Sequence, residues 1–127
     1  REGFQELILQ PQSDLPHFRH FLAEIGWEIV SEEMIKEDGK FYPMMKAVRN
    51  ESGKKISYTE EEAWFGPLLL RECHPVLKEY LLRETAIREK ILAGLLSAPS
   101  ESAKARLAEV KEEMELIKSA LKRYESI

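Results

Sequence analysis

"WEIVSEEMIKEDGKFYPMMKAV", Trp27–Val48, decides how the first half of this chain folds. It reads as a β-rich run, an Asp38-Gly39 turn and a second β-rich run. Asp-Gly is a strong hairpin signal because both positions tolerate positive φ. The expectation is a strand over Trp27–Ile35, a tight turn, and an antiparallel strand over Lys40–Val48. Upstream, "FQELILQ" (Phe4–Gln10) is a short apolar strand candidate halted by Pro11. Between them, Leu15, Phe18, Phe21, Leu22 and Ile25 recur at helical spacing. Ser13 or Asp14 stands at the expected cap, Pro16 in the first turn and Gly26 at the stop. A helical crossover makes the first two strands parallel. Three strands and one helix leave a sheet face bare and the apolar first strand with an open edge, so another chain or an upstream segment is expected to cover it.

Downstream, "NESGKK" (Asn50–Lys55) is a polar loop. Thr59 with Glu62 three residues on is a capping-box pattern, and Gly66-Pro67 breaks the helix it starts. From Pro75 the period is helical for about five turns, to "SAPSES" around Pro99. The last helix sets Leu107, Val110, Met114, Ile117, Leu121 and Tyr124 at alternating steps of three and four, an a/d seam. Tyr80, Ile87, Ile91 and Leu95 are expected to answer it, with Glu84 interrupting, in an antiparallel hairpin. The chain thus divides into 1–50 (α/β), 51–74 (a connector with a short helix) and 75–127 (a helical hairpin).

Composition excludes several classes. The 127 residues are 43% hydrophobic and 33% charged, which suits one domain or a domain with an appendage. No apolar run approaches the roughly 18 residues that span a bilayer. The lone Cys73 cannot form an internal disulfide and fits a reducing compartment, the cytoplasm by default. The net charge of −4 is uneven: residues 1–70 carry 8 Lys and Arg against 13 Asp and Glu, the remainder 11 against 10. Such a chain is no general polyanion binder, although its second half can meet RNA locally. The chain starts at Arg1, just before a strand, and is expected to be a fragment of a longer protein.

Chemistry-bearing motifs are few. No G-x-G phosphate loop occurs. His17 and His20 lie three apart without a third metal ligand, and read as surface or half-buried histidines. His74 reads as a helix-start residue and Cys73 as a semi-buried thiol. Glu32-Glu33 and Glu60–Glu62 read as solvated acidic faces. Two stretches remain. Gln10, Pro11 and Gln12 follow the carboxyl end of a parallel strand, where α/β sheets bind ligands. Lys40, Phe41 and Tyr42 offer a cation and two rings suited to stacking on a base.

In order and spacing, "LILQP", "GWEIV", "EDGKFY", "FGPLLL" and "HPVLKEYL" resemble the carboxyl-terminal half of the bacterial S-adenosylmethionine-dependent tRNA (adenine(22)-N1)-methyltransferase family. The resemblance runs from Leu7 to the final helix, and the combination of "LILQP", "EDGKFY" and "FGP" is its specific part. It implies a Rossmann-like class I methyltransferase sheet followed by a coiled-coil-like hairpin. Leu7–Gln10 would be the fifth of seven strands, and Trp27–Ile35 and Lys40–Val48 the sixth and seventh, the last inserted antiparallel between its neighbours. It further implies methyl transfer from S-adenosylmethionine to adenine N1 of tRNA. The catalytic and cofactor-binding residues would lie upstream, leaving this chain inactive alone. Gln10, Pro11, Gln12, Lys40, Phe41 and Tyr42 would border the base pocket, and Arg83, Arg88, Lys104, Arg106 and Lys122 would contact tRNA. Two residues depart from the family pattern: Gln12 stands where members carry Asn, and Pro43 where they carry Glu. Pro43 removes a ladder donor from a strand flanked on both sides. The competing reading is a non-enzymatic α/β module whose hairpin mediates oligomerisation or RNA or protein binding.

Overall fold

The structure is a computed structural model that describes residues 6–11 and 14–126. The chain divides into two compact units, Arg1–Leu77 and Lys78–Ile127.

In the first unit, β1 (Glu6–Leu9) leads to α1 (Leu15–Glu24), then β2 (Trp27–Glu37) and β3 (Lys40–Arg49). The sheet order is β1-β3-β2, with β3 antiparallel to both neighbours, so β1 and β2 run parallel with β3 inserted between them. Asp38 and Gly39 take φ of 51° and 76°, the positive pair a tight hairpin needs, and pairing continues up to Glu37↔Lys40. Asp14 occupies the cap position of α1 at φ 50°, and its side chain makes no capping bond. Its carbonyl instead accepts from the Phe18 N–H at 3.1 Å. Ser13, the other cap candidate, lies outside the described residues.

Pairing of β1 with β3 stops at Leu9↔Met45. Among the described residues, β3 at the level of Pro43 is therefore flanked by β2 alone. A proline is tolerated in such a place because a strand with one neighbour needs its N–H groups only on that side. Val30 forms a register shift between Ile29 and Ser31, and the Ile29 N–H finds the Tyr58 hydroxyl at 3.1 Å. Burial pushes the Tyr58 phenol above its ordinary range.

One sheet face holds the core: Leu22, Ile29, Met45, Ala47 and Leu68, with Leu9, Leu15, Phe18 and Trp27 packed around it. Alternation puts Ile8, Tyr42, Met44 and Val48 on the other face, where Ile8 is 81% exposed.

Glu32 is a correction to the reading of solvated acidic faces. It points into the core side at 4% exposure, while Glu33 faces out. Its carboxylate accepts from Arg19 Nε at 3.1 Å, and from the Leu68 and Leu69 N–H groups at 2.8 and 3.3 Å. Arg19, equally buried, also donates to the Ala63 carbonyl at 2.7 Å. These bonds hold α2 (Glu60–Phe65) and α3 (Pro67–Arg71) against α1 and β2. Gly66, at φ 99°, joins the two helices, and a Cβ there would lie 2.7 Å from Glu32 Oε1. Thr59 starts α2 with the expected capping box: its Oγ1 accepts from the Glu62 N–H, and its own N–H donates to the Glu62 carboxylate.

The second unit contains most of α4 (Pro75–Ser97), all of α5 (Glu101–Lys122) and a 3-10 turn, Arg123–Ser126. Ser100 caps α5 by accepting from the Ala103 N–H. Along α5 the buried line is Ala103, Val110, Ile117, Ala120 and on to Tyr124, with Leu107, Met114 and Leu121 half-buried beside it. Arg88 of α4 meets Glu113 of α5 at 3.0 Å, and the Lys78 ammonium lies 6.0 Å from the Tyr124 ring centre. The two ties advance in opposite directions along the helices. The α4 line differs from the expected one. Arg88 is inside it, pairing with Glu84 as well, and Ile87 is 41% exposed. An ion-paired layer thus occupies the middle of the pairing, and it draws Glu84 in rather than leaving it as an interruption.

Glu32→Ala leaves a buried guanidinium without its counter-charge, and Arg19→Ala leaves a buried carboxylate in the same position. Each should cost about 3–5 kcal/mol. The double variant should fall short of the sum by about 1–3 kcal/mol. Denaturant unfolding of the four proteins gives this coupling, and strict additivity would show that the pair does not act as a unit. Gly66→Ala should lose more than about 2 kcal/mol in the same assay, from positive φ and the clash with Glu32.

Candidate substrate-pocket rim

Because β1 and β2 are parallel, their carboxyl ends lie at one end of the sheet, together with the hairpin and the start of β3. Pairing of β1 ends at Leu9↔Met45, and Gln10 and Pro11 follow it as irregular chain at the carboxyl end of the strand. The sheet therefore brings Gln10 and Pro11 to the same end as Lys40, Phe41 and Tyr42. Gln12 lies outside the described residues. Gln10 and Lys40 are exposed, and Pro11, Phe41 and Tyr42 are half-buried. The Lys36 ammonium sits 5.7 Å from the centre of the Phe41 ring, across the Lys36↔Phe41 pair. Alternation puts Phe41 and Lys36 on the core-side face and Lys40 and Tyr42 on the opposite one, so a heteroaromatic base at this end could meet one ring and one ammonium group on either face.

The five basic candidates of the second unit differ in availability. Arg88 is held by Glu84 at 2.6 Å and Glu113 at 3.0 Å, and these carboxylates raise its pKa against the opposing effect of burial. Its guanidinium fork is committed within the unit. Arg83 is partly exposed, lies over the Tyr80 ring at 5.3 Å and reaches Glu84 at 3.1 Å. Arg106 is 3.5 Å from Glu113 and 3.7 Å from Glu109. Lys104 is exposed with a loose 3.8 Å contact to Glu101, and Lys122 is exposed in the last turn of α5.

Sequence reasoning missed the Arg19–Glu32 pair. Its signal was present: Arg19 lies four residues after Leu15 and three before Leu22, on the apolar stripe of α1, where a charge needs a buried partner. His17 is exposed, and His20 Nε2 lies 2.8 Å from Glu60 Oε1. Among the described residues, no three His, Cys, Asp or Glu converge as a metal set.

The family model described as tRNA (adenine(22)-N(1))-methyltransferase matches residues 2–119. The chain belongs to that family. It is 27% identical over 122 residues to the tRNA (adenine(22)-N(1))-methyltransferase of Bacillus subtilis, covering 94% of this chain and 51% of the relative. The structure of a Listeria monocytogenes protein superposes with a TM-score of 0.88 at 28% identity, covering 94% of this chain and 52% of that one. A Streptococcus pneumoniae protein, described as a candidate tRNA (m1A22) methyltransferase and solved in complex with S-adenosyl-L-methionine, gives a TM-score of 0.74 at 25% identity. That match covers 94% of this chain and 49% of the other. The chain thus spans about half the length of the relatives it matches. Their Rossmann-like methyltransferase fold agrees with the inserted antiparallel strand seen here.

The described residues do not assemble a cradle for the methyl donor. Every buried side-chain nitrogen and oxygen among them already has a partner. Gly66, the described glycine beside which a side chain packs closely, has its space filled by Glu32.

Exposed Lys40 can be truncated to Ala with stability held within about 0.5 kcal/mol. Phe41→Ala should cost about 1–3 kcal/mol through lost burial. Thermal unfolding separates the two, so a binding defect in Lys40→Ala can be read without a folding correction.

Proposed function

We propose that this chain is the carboxyl-terminal half of a tRNA adenine-N1 methyltransferase, and that it forms one wall of the pocket for the target base. Family membership is the observation that carries the reading, supported by the gathering of Gln10, Pro11 and Lys40–Tyr42 at the carboxyl ends of two parallel strands. S-adenosylmethionine supplies the methyl group and is held by the part of the parent protein outside this chain. That part, or another chain, also covers the β1 edge and the exposed Ile8. This chain's residues orient the adenine and exclude water, so that N1, the nucleophile, is held in a reactive alignment. Gln10 hydrogen-bonds an edge of the base, and Tyr42 shapes the rim on the same face of the sheet. The parent enzyme works in the cytoplasm.

Residues 75–127 act as an antiparallel coiled-coil-like hairpin that grips the tRNA body through Arg83, Lys104, Arg106 and Lys122. Phosphate contacts of this kind position the nucleic acid without reading its sequence. Arg88 falls outside that set, because both of its faces are taken by glutamates.

Methyl transfer from labelled S-adenosylmethionine to unmodified tRNA should occur with the full-length parent and not with this chain alone. Simultaneous Gln10→Ala and Tyr42→Ala in the parent should lower kcat/KM by at least about tenfold, equivalent to about 1.4 kcal/mol of transition-state stabilisation. An unchanged kcat/KM would remove these residues from the pocket while leaving the family intact.

A further inference from the structure

We propose that His74 is a protonation-sensitive clamp: its neutral imidazole ties the first turn of α4 to β2, and a proton on Nδ1 releases that turn. The proposal rests on geometry within the first unit and is independent of the functional reading above. Pro75 has no N–H, so the Val76 N–H is the first donor of α4, and it donates to His74 Nδ1 at 3.2 Å. A backbone N–H cannot accept, so Nδ1 is the acceptor and the ring hydrogen resides on Nε2. That hydrogen points to Glu33 Oε1 of β2, 2.9 Å away. One ring therefore serves as a helix cap at one nitrogen and as a strand tie at the other.

The backbone leaves the ring little freedom to serve either end separately. Cys73 takes φ 50°, its N–H donates to the Leu70 carbonyl, and the His74 N–H donates to the Leu69 carbonyl. These are the two bonds of a Schellman ending to α3, with a cysteine in the position glycine usually fills. The imidazole is thus launched from a closed turn and reaches both partners from a fixed origin.

Histidine is the side chain whose proton exchanges closest to neutral pH. The ring lies against the Glu33 carboxylate of β2 at one nitrogen and the positive end of α4, at the Val76 N–H, at the other; Arg71, Glu72 and Cys73 precede it in the chain. Protonation strengthens attraction to Glu33. It also turns Nδ1 from acceptor to donor facing another N–H, and sets a cation at a helix amino terminus, where cations are disfavoured. The Glu33 tie survives and the cap does not.

Nitrogen-15 spectra of His74 and hydrogen exchange at the Val76 amide, in the intact protein titrated from about pH 8 to about pH 5, test this. The neutral ring should be the Nε2–H tautomer. Val76 protection, corrected for the intrinsic pH dependence of exchange, should fall about fivefold in step with ring protonation, the size of a lost cap. His74→Asn keeps a capping acceptor that does not titrate, and should make Val76 protection flat across the range. An Nδ1–H tautomer, protection indifferent to ring protonation, or the same fall in His74→Asn would each overturn the proposal.

Discussion

A buried carboxylate organises the first unit. Glu32 projects from β2 into the side of the sheet that is otherwise apolar, and its charge can be tolerated there only if several donors converge on it. They come from two separate parts of the chain: Arg19 from α1, and the Leu68 and Leu69 N–H groups from the first turn of α3. Burial raises the Glu32 pKa, and Arg19 and the two N–H groups pull it back only in part. A carboxyl raised in this way contributes its stability below the ordinary carboxylate pKa. That contribution is lost as pH rises through the raised value. Its value lies in specificity. Removing any one donor leaves the buried carboxylate short of a partner, so α1, β2 and α3 accept essentially one mutual arrangement. Gly66 belongs to the same constraint, because only a residue without a Cβ lets the α2–α3 junction close over the carboxylate.

With that face settled, the rest of the sheet becomes asymmetric. The core side is packed by α1 and α3, whereas Ile8 and its neighbours on the opposite side have no equivalent cover among the described residues. The insertion of β3 between β1 and β2 keeps the carboxyl ends of both parallel strands at the hairpin end. That is the geometric reason the amide and aromatic residues of two distant segments can serve one pocket. It also accounts for Pro43, which falls where β3 has outrun β1.

Much of this was legible in local patterns. Asp38-Gly39 specified its turn through backbone sterics, Thr59 and Glu62 their capping box, and Gly66-Pro67 its break, because each depends on residues within a few positions of one another. The strand order came from family resemblance, since hairpin and crossover rules alone do not say which edge β3 takes. The candidate rim residues were legible as types, but that β1 and the start of β3 reach the same end of the sheet needed the register. Glu32 was misread as solvated because neighbouring Glu33 is, and pleat alone puts the two on opposite faces. Ile87 was misplaced because the α4 line includes the ion-paired Arg88, which an apolar seam count passes over.

What the sequence by itself determined is therefore the set of elements, their turns and caps, and the family, all carried by short-range patterns that survive without knowledge of neighbours. Only the tertiary structure decided which charges are buried, which basic groups remain available and which two ends of His74 are occupied. Those outcomes depend on donors and acceptors tens of residues apart, and nothing in the local sequence records where a distant backbone N–H will point.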